Sequence, residues 1–118
     1  MSKTMNLTNK LNQEFVINKL RETDWESVNS GPLVVELDPT AVCDLACPGC
    51  ISEDLVSIGN SFSNDKLLEM GHDFIECGVK AVILIGGGEP LAHPKTGELI
   101  SLLGKNDIHI GITTNGSF

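Results

Sequence analysis

The sequence predicts an α/β protein with a parallel sheet, because three short apolar segments alternate with helical patterns. These segments are residues 33–37, 81–85 and 108–112, and each is rich in branched side chains, as buried parallel strands are. A right-handed crossover between successive segments would place the three strands side by side and pointing the same way. Residues 33–118 are therefore predicted to form the core, and residues 1–32 a helical leader.

The leader is predicted to contain an amphipathic helix over residues 7–20. The apolar side chains at helical spacing in this range are Leu7, Leu11, Phe15, Val16 and Leu20. Residues 23–32, which include Ser30-Gly31-Pro32, mark a connection into the core. We expect Trp25, the one tryptophan of the sequence, to anchor the leader on that core.

Two further helices are predicted between the strand segments. The first begins after Ser63, a plausible N-cap, and ends at Gly78, where glycine favours helix termination. The second covers residues 94–103, with Gly104 as its stop. The polar stretch at residues 57–64 is expected to be a connection.

Composition narrows the class of protein. The 118 residues are enough for one domain with a modest core, and 41% of them are hydrophobic. The net charge of −8 argues against a nucleic-acid surface, and no apolar run reaches the roughly 18 residues that span a membrane. Three of the four cysteines are clustered, unlike a secreted disulfide framework, so we expect a cytoplasmic protein.

Three cysteines follow the first predicted strand, in Cys43-Asp44-Leu45-Ala46-Cys47-Pro48-Gly49-Cys50. This C-x3-C-x2-C spacing lets one loop direct three thiols at one metal centre. Three thiolates would leave one iron of a [4Fe–4S] cluster open to an outside ligand. A centre that only carries electrons or holds a fold normally fills its last site. The loop therefore predicts a metal centre that takes part in chemistry.

Two more polar clusters follow the other two predicted strands. They are Gly86-Gly87-Gly88-Glu89-Pro90 and Thr113-Thr114-Asn115-Gly116. Ligands collect at the carboxyl ends of parallel strands, so all three clusters are expected at one edge of the sheet. The glycines allow close approach of the backbone to a ligand, Glu89 adds a negative charge and Pro90 would fix the turn.

In order and spacing, these motifs resemble the radical S-adenosylmethionine (radical SAM) superfamily over roughly residues 33–118. The resemblance implies the first three βα units of a partial (β/α)6 TIM-like barrel. It also implies that Cys43, Cys47 and Cys50 ligate a [4Fe–4S] cluster whose open iron chelates S-adenosylmethionine (SAM). An external electron donor would then drive cleavage of SAM to methionine and a 5′-deoxyadenosyl radical, which takes hydrogen from an unidentified substrate.

The same resemblance assigns SAM contacts to the glycine segment and to the residues after the third strand. These are Gly86, Gly87, Gly88, Glu89, Pro90, Thr113, Thr114 and Asn115. One position departs from the family pattern: Gly49 stands where an aromatic residue usually packs near the adenine. Three of the six strands are counted here, so we expect a truncated N-terminal half that is inactive alone and that a second chain could complete.

Other interpretations of the motifs remain open. The cysteine loop would form a zinc site if Cys77 or His72 supplied a fourth ligand, although three ligands within eight residues is not zinc-ribbon spacing. A small iron–sulfur electron-transfer protein without SAM chemistry is the alternative function. The glycine segment and the Thr-Thr-Asn segment would then be plain turns. Cys77 itself is expected to be a buried small residue of its helix.

Overall fold

The computed structural model of the chain describes residue 9 and residues 12–26 and 31–118. The predicted leader helix is observed as α1, Glu14–Glu22. Residues 7, 8, 10 and 11 of that prediction, and residues 27–30 of the predicted connection, lie outside the described residues. The expectation for Trp25 is wrong: its side chain is 76% exposed, and α1 has no buried residue beside which it could pack.

A three-stranded parallel sheet forms the centre of the molecule, as predicted. Its strands are β1 (Val34–Leu37), β2 (Ala81–Leu84) and β3 (His109–Ile112), in the order β1-β2-β3. Leu37 pairs with Leu84, and Leu84 with Ile112, so the last residues of the strands lie side by side. The chain therefore leaves all three strands at the same edge of the sheet.

Helices follow each of the first two strands. They are α2 (Glu53–Ile58), α3 (Asn64–Glu76), a 3-10 turn (Pro90–Ala92) and α4 (Thr96–Gly104). The predicted N-cap of α3 is confirmed, because Ser63 Oγ accepts a hydrogen bond from the Lys66 N–H at 3.2 Å. Gly78 follows α3 with a φ of +71°, in the left-handed region that glycine tolerates. The helix α2 was not predicted and covers part of the expected polar connection.

The core lies where α3 and α4 pack on the sheet. Its fully buried side chains are Leu67, Val82, Leu84, Leu99 and Leu103. A Cβ atom at Gly71 would lie 2.6 Å from Leu99 Cδ1, so the absence of a side chain there lets the two helices approach closely. No helix in the described part of the chain is long and apolar enough to cross a membrane.

The expectation that Cys77 is a buried residue of its helix is wrong. Cys77 lies one residue beyond the last residue of α3, where it forms the C-cap, and its side chain is exposed. Its backbone N–H still donates to Asp73 O at 2.9 Å. Its backbone is still in the right-handed helical region, with φ −72° and ψ −6°, and its position lies about 80° around the helix axis from the buried Leu67, off the buried stripe.

Candidate metal and cofactor site

The three clustered cysteines line one cavity of about 550 Å³ beyond the ends of β1 and β2. All three are free thiols; Cys43 and Cys50 are half-buried and Cys47 is exposed. Gly86, Gly87 and Gly88 line the same cavity. The remaining wall is mainly apolar and consists of Leu45, Ala46, Pro48, Gly49, Ile51, Ser52, Glu53, Val56, Ser57 and Ile85. The predicted convergence of the cysteine loop and the glycine segment is therefore observed.

The local backbone explains the glycine at position 49. Gly49 has a φ of +72°, and no atom lies within 4 Å of where its Cβ would be. The Cys50 N–H donates to Cys47 O at 3.2 Å, which closes a turn around Pro48 and Gly49. A non-glycine residue has room here but would be strained by the left-handed backbone. The departure from an aromatic residue thus coincides with a turn that favours glycine.

The donor set suits an iron–sulfur cluster, since soft thiolate ligands select such centres. The closed ligand geometry is not formed: among the described residues, no group of three His, Cys, Asp or Glu side chains is placed to hold a metal ion. The thiols share a cavity, and the loop would have to draw them together around a cluster. His72 lies elsewhere, in a cavity of about 230 Å³ with Glu98 and Lys105, and Cys77 is not part of the cysteine cavity.

The glycine segment packs directly against the start of the cysteine loop. The Glu89 N–H donates to Val42 O at 2.8 Å, and a Cβ at Gly88 would lie 2.3 Å from that same oxygen. The Gly87 N–H donates to Asp38 Oδ2 at 3.2 Å, which ties the segment to the end of β1. The absence of side chains is thus what allows the two loops to approach.

Glu89 is buried, with 2% of its surface exposed, and its carboxylate joins the ends of β2 and β3. Oε1 accepts from the Leu91 N–H at 2.9 Å and from the Thr114 hydroxyl at 2.8 Å, and Oε2 accepts from the Asn115 N–H at 2.7 Å. Burial works to raise the pKa of Glu89, but the hydrogen bonds from Asn115, Leu91 and Thr114 outweigh it. The pKa is therefore lowered, and the carboxylate is charged at neutral pH.

The segment after β3 also borders the site. Thr113, Thr114 and Asn115 line a second cavity of about 280 Å³ together with Glu89. Six residues line both this cavity and the cysteine cavity, namely Cys43, Leu45, Cys47, Ile85, Gly86 and Gly88. Among the predicted site residues, Pro90 lines neither cavity; it is buried at the start of the 3-10 turn. Contact of any of these residues with a ligand stays a prediction.

Two carboxylates at this edge were not predicted. Asp38 follows β1 directly and accepts from Gly87 as described. Asp44 Oδ1 accepts from Asn115 Nδ2 at 2.9 Å, and hydrogen bonds from Ser117 and Asn115 lower the pKa of Asp44. Their positions in the sequence could have indicated these two residues. Asp38 stands at the carboxyl end of a predicted strand, and Asp44 lies inside the cysteine motif.

A family model described as the Radical SAM superfamily matches residues 37–118. The chain is 37% identical over 87 residues to a GTP 3′,8-cyclase of Ectopseudomonas mendocina. It is 36% identical over 87 residues to GTP 3′,8-cyclase 2 of Pseudomonas aeruginosa. Each match covers 70% of this chain and 26% of the relative, so the chain spans about a quarter of the length of these curated relatives. No solved structure gives a significant match.

Proposed function

Because the chain belongs to the radical SAM superfamily, a family of enzymes, we propose that it binds a [4Fe–4S] cluster and SAM at the sheet edge described above. Cys43, Cys47 and Cys50 would hold the cluster. The glycine segment and residues 113–115 would face SAM. The single observation that carries this proposal is the cavity that all three thiols and the glycine segment line together.

Bound there, the cluster would supply the electron that cleaves SAM to methionine and a 5′-deoxyadenosyl radical, which then takes a hydrogen atom from the substrate. The chain's own residues provide the binding and the orientation. Thiolates of the cysteine loop would hold the iron, and the cavity wall beside them includes the apolar side chains of Leu45 and Val56. Three donors already occupy the carboxylate of Glu89, which has about four acceptor positions. Its charge is thus held close to the glycine backbone where the SAM ammonium would bind.

The proposal extends to the surroundings of this site. Within the described residues β3 has a strand neighbour on one side only, β2. Further strands, from the same barrel or from a second chain, would pair with β3 and enclose the cavity as in a partial (β/α)6 barrel. An external reductant would deliver the electron. A reducing, cytoplasmic setting would keep the four free thiols available.

Anaerobic reconstitution with iron and sulfide tests the cluster. We expect near-stoichiometric iron and sulfide in the parental chain, and loss of the brown absorbance in Cys43→Ala, Cys47→Ala and Cys50→Ala, because a centre with three protein ligands cannot spare one. Cys77→Ala is the matched control, since its thiol is exposed and lies outside the cavity. Retention of a full cluster in Cys47→Ala would overturn the ligand assignment.

Addition of SAM to the reduced cluster tests the second half of the proposal. An iron open to an outside ligand changes its EPR signal when SAM binds to it. An unchanged signal in a chain with a complete cluster would instead favour a small iron–sulfur electron-transfer protein.

A further inference from the structure

The side chain of Asn115 reaches the cysteine loop from the end of β3. Its Nδ2 atom lies 3.9 Å from Cys43 Sγ and 2.9 Å from Asp44 Oδ1. We propose that Asn115 donates an N–H···S hydrogen bond to the Cys43 thiolate and thereby raises the reduction potential of the cluster held there. Asn115 is then a positioning residue that tunes the metal centre, and this role rests on the proposed function, because it requires a cluster on Cys43.

Two hydrogen bonds to Ser117 hold the oxygen of the Asn115 side chain. Its Oδ1 accepts from the Ser117 N–H at 2.9 Å and from the Ser117 hydroxyl at 2.7 Å. A flipped amide would turn its NH2 group against the Ser117 N–H and its oxygen against the Asp44 carboxylate, so the hydrogen-bond network assigns Nδ2 to the side of the cysteine loop. The backbone is held as well, because the Asn115 N–H donates to Glu89 Oε2 at 2.7 Å.

The amide has a hydrogen available for the sulfur. A side-chain amide carries two N–H donors, and the carboxylate of Asp44 takes one of them. The second is free to point at Cys43 Sγ, where a thiolate bound to iron is a better acceptor than a neutral thiol. Within the part of the chain that the structure describes, Cys43 is the cysteine whose sulfur receives a side-chain hydrogen bond.

Such a bond changes the energy of the two redox states unequally. Reduction adds one electron to the cluster and makes its thiolate sulfurs more negative. A hydrogen-bond donor stabilises the more negative state more strongly, and hydrogen bonds to the sulfurs are among the features that set the potential of iron–sulfur clusters. Removal of the Asn115 donor should therefore shift the potential to a more negative value.

The test compares Asn115→Ala and Asn115→Asp with the parental chain after anaerobic reconstitution. Asn106→Ala is the matched control, because Asn106 Nδ2 donates to Leu102 O at the end of α4, away from the thiols. The potential is measured by EPR-monitored redox titration without SAM. We expect a more negative potential in Asn115→Ala, a further shift in Asn115→Asp, where a carboxylate replaces the donor, and no shift in Asn106→Ala. Resonance Raman should show stronger iron–thiolate bonds in Asn115→Ala.

The outcomes separate this role from the proposed function. A cluster that assembles in all variants with an unchanged potential and Raman spectrum would overturn the role of Asn115 and leave the proposed function intact. Loss of the cluster in both Asn115 variants but not in Asn106→Ala would show a structural role instead and would likewise overturn it. If the parental chain assembled no cluster, the proposed function and the role of Asn115 would fail together.

Discussion

At the scale of single residues, Glu89 is a buried carboxylate that joins the ends of β2 and β3. Glu89→Gln is expected to lower the free energy of unfolding by about 1–3 kcal/mol, because an amide NH2 would face N–H or O–H donors in a buried position. Urea denaturation followed by circular dichroism measures the change. Glu36→Gln is the matched control, since Glu36 is exposed on β1. Equal unfolding midpoints for the two variants would contradict the prediction.

The lowered pKa of Glu89 also predicts how stability depends on pH. Burial alone would raise the pKa, but the hydrogen bonds from Asn115, Leu91 and Thr114 bring it below the ordinary value of 4.5. Folding thus favours the charged carboxylate, and its contribution is complete above about pH 4.5 and is lost as the pH falls through the lower folded-state value.

The measurement is the free energy of unfolding against pH for the parental chain and for Glu89→Gln. The parental chain should lose its advantage over the variant in acid, because only the parental chain has a carboxylate to protonate. A constant difference between the two proteins from neutral pH down to acid would show that Glu89 is not the group responsible.

The residues of the site were predictable to different degrees. The cysteines could be assigned from one loop, because their spacing alone brings them together, and the structure places them on one cavity. The partners of Glu89 could not be assigned. Thr114 and Asn115 lie 25 and 26 residues further along the chain, and their contact depends on β2 and β3 ending side by side.

At the scale of elements, the glycine segment allows its backbone to pack closely against the backbone of the cysteine loop. Gly88→Ala is expected to cost about 1–3 kcal/mol of stability, because its Cβ would lie 2.3 Å from Val42 O and 2.5 Å from Ala41 C. The loops would have to separate, and the hydrogen bond from the Glu89 N–H to Val42 O would weaken. The same denaturation experiment measures the loss.

Gly97→Ala is the matched control for Gly88→Ala. Gly97 lies in α4, and nothing is within 4 Å of its Cβ position. Alanine is the better helix former, so this variant should be more stable by about 0.5–1 kcal/mol. A loss in Gly97→Ala as large as that in Gly88→Ala would mean that backbone freedom, and not close approach, explains both.

The α-helices that the sequence predicted are longer than α2, which it did not predict. Each strand was predicted to within one residue, because a short branched apolar run ends abruptly at polar residues or glycine. The helix α2 has six residues, too few to show an apolar period. Its signals were present but local: Glu53 and Asp54 lie in its first turn, and Gly59 follows it in the left-handed region.

At the scale of the whole molecule, the three site segments share one edge because all strands are parallel and flush. The parallel direction of the strands, and with it the meeting of the cysteine loop and the two later loops, followed from the alternation of strands and helices. Closure of the sheet into a barrel did not follow from this alternation. Three strands are compatible with several α/β sheets, and closure depends on strands beyond those described here.

The sheet also predicts how the 118-residue chain behaves in solution. Within the described residues, β3 pairs with β2 only, so its outer side presents unpaired backbone groups beside the 41% exposed side chain of Ile112. Unpaired strand edges promote association, and lysine on an edge opposes it. We expect the chain to self-associate, and Ile112→Lys to weaken that association by about tenfold, or about 1.4 kcal/mol.

Sedimentation velocity over a range of concentrations measures this association, and Ile58→Lys is the matched control. Ile58 is 65% exposed at the end of α2, away from the sheet edge, so the same charge is added at a site that leaves the strand unchanged. If general surface hydrophobicity caused the association, the more exposed Ile58 would have the larger effect. If association runs through the β3 edge, Ile112→Lys acts and Ile58→Lys does not, and a chain that is monomeric at every concentration would refute that edge as an association site.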